Sequence, residues 1–119
     1  MIVMSPTIQA IMAEMVTKSV ENFGPALRQI WLFGSQATGQ ATEDSDIDVA
    51  VVLEKPILDK SIKAWQLRDQ VYGDFSMDIL TRYGELLYVD IASQEEFADQ
   101  DMPLYDNIKR KGVLVYDQQ

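Results

Sequence analysis

The sequence predicts an α/β fold in which helices pack on a small mixed sheet. Three observations lead there: apolar residues at helical spacing near the start, short β-branched runs after them, and helix-like segments interleaved between those runs. A length of 119 residues fits one domain spanning 1–119, because a chain of that size buries roughly two-thirds of its unfolded surface in a single core. No internal repeat, low-complexity segment or Gly, Ser or Pro-rich linker marks a boundary within it.

The first element is a packing helix in SPTIQAIMAEMVTKSVENFG. Ser5 can cap it, Pro6 suits its first position, and Ile8, Ile11, Met12, Met15, Val16 and Val20 recur on one side until Gly24. IWLFG, from Ile30, reads as a short buried strand that stops at Gly34, and DIDVAVVLE, Asp46 to Glu54, as a second strand ended by Pro56. Between Lys60 and Tyr72 the placement of Ile62, Trp65, Leu67, Val71 and Tyr72 predicts an amphipathic helix, and FSMDILTRY, Phe75 to Tyr83, predicts a third strand. GELLYVDIAS fits either element. SQEEFADQ reads as a helix behind a Ser93 cap, PLYDNIKRK as the last helix, and VLVY after Gly112 as a closing strand.

Composition narrows the chemistry. With no cysteine and no histidine, disulfides, thiolate or imidazole metal sites, Cys nucleophiles and the Ser-His-Asp triad are excluded, leaving carboxylates, hydroxyls, lysines and backbone groups. The net charge of -9 argues against direct binding of a nucleic-acid duplex, whose phosphates need Lys and Arg, and favours a basic protein partner or a metal-bridged anion. No apolar run reaches the roughly 18 residues of a membrane span and the start carries no leader pattern, so a soluble cytoplasmic protein is expected.

The chemically informative stretch is LFGSQATGQATEDSDIDVAVV, residues 32 to 52. Alternate side chains of a strand share a face, so Asp46 and Asp48 point one way while Ile47, Val49 and Val51 point into the core. Two like charges held together repel, and a hard divalent cation such as Mg²⁺ relieves the repulsion; a solvated strand start would relieve it as well. Gly34 and Ser35 end one strand where the acids begin the next, and a short helical turn from Ser35 would aim backbone N–H groups at an anion. Other motifs fail: Gly34 to Gly39 has P-loop spacing but is followed by Gln40 and Ala41, an EF-hand loop from Asp44 has Val49 and Lys55 where Gly and Glu belong, and no G-x-G-x-x-G occurs.

Gly34-Ser35, ten residues, then Asp46-x-Asp48 resembles the motif of the DNA polymerase β superfamily of nucleotidyltransferases, and the form LFGSxxxGxxxxxSDIDxxVV is most similar to the minimal nucleotidyltransferase antitoxins found beside HEPN-domain ribonuclease toxins. The resemblance implies a polymerase β-like fold, Gly34 and Ser35 binding the triphosphate of ATP, and Asp46 and Asp48 binding Mg²⁺. It implies a third carboxylate, from a neighbouring strand, completing a site for two ions. Asp78, inside SMDIL, is the candidate, because an acid in an apolar strand is costly to bury without a cation; Asp74 and Asp90 are weaker contenders. Asp46, Asp48 and Asp78 are thus the expected catalytic and metal-binding residues, with Asp78 also the expected general base. Relatives carry arginines after the Gly-Ser pair where this chain has Gln36 and Thr38, and Lys18, Arg28 and Arg82 are the candidates to replace them.

The resemblance also implies a protein acceptor: transfer of AMP from ATP to a tyrosine of a HEPN toxin, which silences its ribonuclease activity. A chain of this length is expected to lack a helical substrate domain, which suits an acceptor presented by another polypeptide, and its acidity would complement a basic RNA-cutting partner. Met12, Met15, Trp65, Tyr72, Tyr88 and Tyr105 are expected mainly in the core and its rim, with a partner surface as the other reading. Two alternatives stand beside the enzyme: an antitoxin that neutralises by binding alone, and a nucleotidyltransferase acting on a small molecule.

Overall fold

The computed structural model describes residues 4–42, 44–55 and 63–118. Its first helix, α1, runs Pro6–Phe23, with the Ser5 hydroxyl accepting the Ile8 N–H and Pro6 in the first turn, as the capping pattern requires. Then follow β1 (Leu27–Phe33), a one-turn helix α2 (Ser35–Thr38), β2 (Ile47–Leu53), α3 (Ala64–Tyr83), β3 (Leu87–Ser93), the short α4 (Gln94–Phe97), α5 (Pro103–Lys111) and β4 (Val113–Asp117). The strands form one mixed sheet in the order β3-β2-β1-β4, antiparallel except for the β2–β3 pair.

The expected order of elements is found, but the third strand lies elsewhere. Phe75 to Tyr83 is the second half of α3 and not a strand. Its residues alternate, yet they also sit at helical spacing, and Tyr72, Phe75, Ile79 and Tyr83 all pack on the core from one side of α3. Gly73 does not break the helix, since an interior glycine costs only about 1 kcal/mol. Gly84 does: at φ +71 it adopts the left-handed conformation and returns its N–H to the Leu80 carbonyl at 2.9 Å. The ambiguous segment after it becomes β3, and a parallel partner for β2 needs a crossover of this kind. Lys60 and Ile62 of the expected helix, Pro56 and Glu43 lie outside the described residues.

Strand alternation divides the core between two faces. Ile47, Val49 and Val51 of β2 and Val89 of β3 pack with Ile11 and Met15 of α1 and Tyr72 and Ile79 of α3. Ala50, Val52 and Ala92 point the other way, against Phe97, Tyr105 and Ile108 of α4 and α5, with Trp31 and Phe33 alongside. Between α1 and α3 the buried Ser19 hydroxyl donates to the Met15 carbonyl at 2.8 Å, so the Tyr72 hydroxyl, 2.7 Å away, donates to Ser19. Of the Met and aromatic side chains singled out, Met12, Met15, Tyr72 and Tyr105 are buried, whereas Trp65 and Tyr88 are exposed. Among the described residues no helix is long and apolar enough to cross a membrane.

Candidate active site

The site follows from strand register. β1 and β2 run antiparallel and end their pairing at Phe33 opposite Asp48, so the chain leaves β1 at Gly34 immediately beside the Asp48 side chain. Gly34 has φ +74 and ψ -156, a region open essentially to glycine alone. A Cβ there would also collide with Asp48 Oδ2 and lie 3.3 Å from its Cγ. Side chain and backbone therefore close on each other only because residue 34 has no side chain. Ser35 then opens α2, whose Ala37 N–H reaches back to the Gly34 carbonyl at 3.1 Å. The first N–H groups of any helix have no partner inside it, so those of Ser35 and Gln36 are free to meet an anion.

Asp46 is exposed just before β2 and Asp48 is half-buried at its second position. Burial, with the Asp46 charge adding to it, raises the Asp48 carboxyl above the usual carboxylate range. The adjoining strand brings a third acid to this face. In the parallel pairing Asp48 faces Tyr88 and Ala50 faces Asp90, so Asp48 and Asp90 are diagonal neighbours on one side of the sheet. Strand spacing and rise put their Cα atoms about 8 Å apart. The Asp90 carboxyl is also raised, chiefly by burial, an effect that the Tyr105 hydroxyl against it and the Arg68 charge partly offset. Its Oδ2 is buried without a hydrogen-bond partner.

Asp78 is placed differently. It lies on the exposed side of α3, where its carboxylate accepts the Arg82 Nε–H at 2.8 Å, and Arg82 also binds Glu14 of α1. Since α3 packs on the face of Ile47, Val49 and Val51, it is across the sheet from Asp48. The structure does not bring Asp78 to the other two acids, because the segment is helix rather than strand. Asp74 is exposed on the same helix. The signal for Asp90 was available: LYVDIAS holds an acid within an apolar alternation as SMDIL does, and Gly84 before it marks a helix end.

The expected replacement cations are not at the site either. Arg28 pairs with Glu54 at 3.1 Å, Arg82 is held by Glu14 and Asp78, and Lys18 lies on α1 on the opposite face. A cavity of about 750 Å³ between Trp31, Phe97 and Lys109 lies towards the other end of the acid-bearing face. A smaller one of about 260 Å³ is bordered by Asp44, Asp46 and Leu86. The smaller cavity adjoins Asp46; in the wall of the larger one Asp106 is paired with Arg110 and Lys109 donates to the Phe97 carbonyl at 2.7 Å.

Among the described residues no three acids stand close enough to ligate one metal ion as they are. The donor set nevertheless fits a hard cation: oxygen-only ligands, two carboxyls pushed up by burial, and an orphaned buried oxygen on Asp90.

The sequence model of the polymerase beta nucleotidyltransferase family matches residues 14–119. The chain belongs to the polymerase β nucleotidyltransferases. Its fold is also that of solved structures. A chain of a toxin-antitoxin complex crystallised with AMP-PNP is 18% identical, with a TM-score of 0.59 over 91% of this chain and 74% of that one. A structure from Sulfolobus solfataricus assigned to the nucleotidyltransferases is 22% identical, with a TM-score of 0.53 over 94% and 84%. One of a tri-AMPylated HEPN toxin of Shewanella oneidensis in complex with MNT antitoxin is 18% identical, with a TM-score of 0.50 over 93% and 74%. No curated protein is matched by the sequence. In this nucleotidyltransferase strand register brings the Gly34-Ser35 turn against Asp48.

Proposed function

We propose that the protein is a Mg²⁺-dependent adenylyltransferase that passes AMP from ATP to a tyrosine hydroxyl of a HEPN-domain toxin and so neutralises it. The observation that carries this reading is the abutment of Gly34 on Asp48, which sets a phosphate-sized turn against a carboxylate pair on a nucleotidyltransferase fold. The solved complexes of similar fold, one with AMP-PNP and one holding an AMPylated HEPN toxin, supply the nucleotide and the acceptor.

In this reading Gly34, Ser35 and the free N–H groups of α2 hold the β and γ phosphates. Asp46, Asp48 and Asp90 would hold Mg²⁺, whose chemistry there is to neutralise charge on the α-phosphate and the departing pyrophosphate. The acceptor oxygen bonds to the α-phosphorus as the bond to pyrophosphate breaks, and its proton passes to Asp90 Oδ2. Burial of Asp90 suits it to that role, because a base works best when its pKa lies nearer the working pH. Asp90 takes the place that Asp78 was expected to fill.

The test is transfer of label from α-labelled ATP to a HEPN partner in the presence of Mg²⁺. Asp46→Ala and Asp48→Ala should each abolish it, and Asp90→Asn should reduce it by orders of magnitude while Asp78→Asn leaves it within about twofold. Full turnover by Asp48→Ala would refute the assignment. A second reading, an antitoxin that masks its toxin by binding alone, is favoured by the uncharged Gln36 and Thr38; inhibition of the toxin without label would establish it.

A further inference from the structure

Four arginines are present, and three are spent on carboxylates: Arg28 on Glu54, Arg82 on Glu14 and Asp78, and Arg110 on Asp106 at 2.8 Å. Arg68 is different. Among the described residues no carboxylate lies within 4 Å of it, and its guanidinium carbon sits 5.5 Å from the centroid of the Tyr88 ring. Tyr88 is the residue in register with Asp48, one strand spacing of about 4.8 Å away, and it is 47% exposed. The Arg68 charge is also felt at the Asp90 carboxyl. An unpaired arginine thus stands at the edge strand over Tyr88, within electrostatic reach of Asp90.

The placement follows from topology. β3 is an edge strand, and α3 runs back along it to make the crossover from β2, so a long side chain from the early turns of α3 can reach round the edge to Tyr88. Stacking on an aromatic ring fixes the guanidinium plane and leaves its N–H edges for a ligand, and that planar fork matches two oxygens of one oxyanion. In the order β3-β2-β1 Asp48 lies in the middle, with Gly34 and Ser35 on the β1 flank and Asp90 together with Arg68 on the β3 flank. The Gly34-Ser35 turn and Arg68 therefore lie on opposite flanks of Asp48.

We infer that Arg68, held by Tyr88, is an oxyanion-positioning residue on the flank opposite the Gly34-Ser35 turn. It supplies the positive charge that Gln36 and Thr38 do not. Its ligand is either a non-bridging oxygen pair on the α-phosphate or a carboxylate beside the acceptor hydroxyl, two sources of the same chemistry. This rests on the nucleotidyltransferase reading above.

The experiment compares wild type with Arg68→Gln, Arg68→Lys and Tyr88→Leu, measuring kcat and the KM for ATP and for a HEPN-domain acceptor, together with AMP-PNP binding in Mg²⁺ and the Tm. Arg68→Gln should lower kcat/KM by about ten- to a hundredfold with an unchanged Tm, Arg68→Lys should restore only part of it, and Tyr88→Leu should not add to Arg68→Gln. Weaker AMP-PNP binding with a raised KM for ATP identifies the α-phosphate; a raised KM for the acceptor alone identifies the carboxylate. An active wild type with Arg68→Gln unchanged in every constant, or losing activity only in step with its Tm, overturns this proposal alone. A wild type that binds no AMP-PNP and labels no acceptor overturns it together with the reading it rests on.

Discussion

Replacing Gly34 by alanine separates two consequences of one geometry. The backbone at φ +74 and ψ -156 lies where a side chain costs about 1–3 kcal/mol. The added Cβ must in addition push away the Asp48 carboxylate, whose Cγ would stand 3.3 Å from it. Gly39 provides the comparison: it has φ +76, but nothing lies within 4 Å of a Cβ built on it. Gly39→Ala should therefore cost only the left-handed backbone, about 1–2 kcal/mol. For a domain of this size that is a fall in Tm of about 4–8 °C, with nucleotide transfer intact at temperatures where the variant is folded. Gly34→Ala should fall by at least as much and lose about a hundredfold in transfer as well, because a displacement of about 1 Å at a reacting group has that effect. Thermal melts by circular dichroism and the labelled-ATP assay read the two quantities. A Gly34→Ala protein with wild-type activity would show that the contact with Asp48 has no catalytic consequence, and equal activity losses in both variants would show that backbone strain alone acts.

Other consequences can be checked by substitution. Ser19→Ala leaves the buried Tyr72 hydroxyl without an acceptor and should destabilise by about 1–3 kcal/mol in urea unfolding, whereas Tyr72→Phe leaves Ser19 bonded to Met15 and should cost about 1 kcal/mol; additive losses in the double variant would contradict the pairing. Arg82, and then Tyr83, hold the Glu14 carboxyl below its usual range, so Glu14 contributes stability above the ordinary value of 4.5 and loses it as pH falls through the depressed folded value. Glu14→Gln should flatten the acid limb of a urea-midpoint profile as pH falls below the ordinary value of 4.5, and an unaltered limb would remove Glu14 from it. Mg²⁺ should raise the Tm at neutral pH by relieving the Asp46–Asp48 repulsion, and Asp48→Asn should abolish most of the rise in a thermal-shift titration.

What was legible in the sequence was legible because a local rule sufficed. Ser5 and Pro6 start α1, Ser93 with Glu96 caps α4, Gly34 ends β1, and alternation in DIDVAVV turns Asp48 away from Ile47 and Val49. The pairing of the Gly-Ser turn with the aspartates follows from these plus a hairpin-like connection. The third strand and the third acid were not legible in the same way. FSMDILTRY satisfies period 2 and period 3.6 together, and the choice falls to packing: as helix it continues the stripe from Tyr72 through Ile79 onto the sheet, as strand it would strand Phe75 and Met77 from it. Because α3 absorbs that segment, the acid on the face of Asp48 is Asp90, seven residues past the end of α3, and the alternation in LYVDIAS points to it only once that stretch is taken as the strand.

The same topological choice explains why Asp78 and Asp90 differ in chemistry despite similar sequence surroundings. On a helix an acid can swing to solvent and pair four residues on, as Asp78 does with Arg82, so flanking apolar residues impose no burial on it. In a strand the alternation is fixed by the pleat, and an acid on the inner face cannot leave it. Asp90 is held there by parallel pairing to β2, under Tyr105 of α5, with one oxygen unpartnered. A buried carboxylate oxygen without a donor costs about 1–3 kcal/mol or more if nothing ever meets it. Retaining it in register with the small side chain of Ala50 is intelligible when an occupant of the site completes it. Asp90→Ala should accordingly stabilise the free protein, raising its Tm while abolishing transfer; a variant that melts lower than wild type would place Asp90 among the residues that hold the fold together and not among those that do the chemistry.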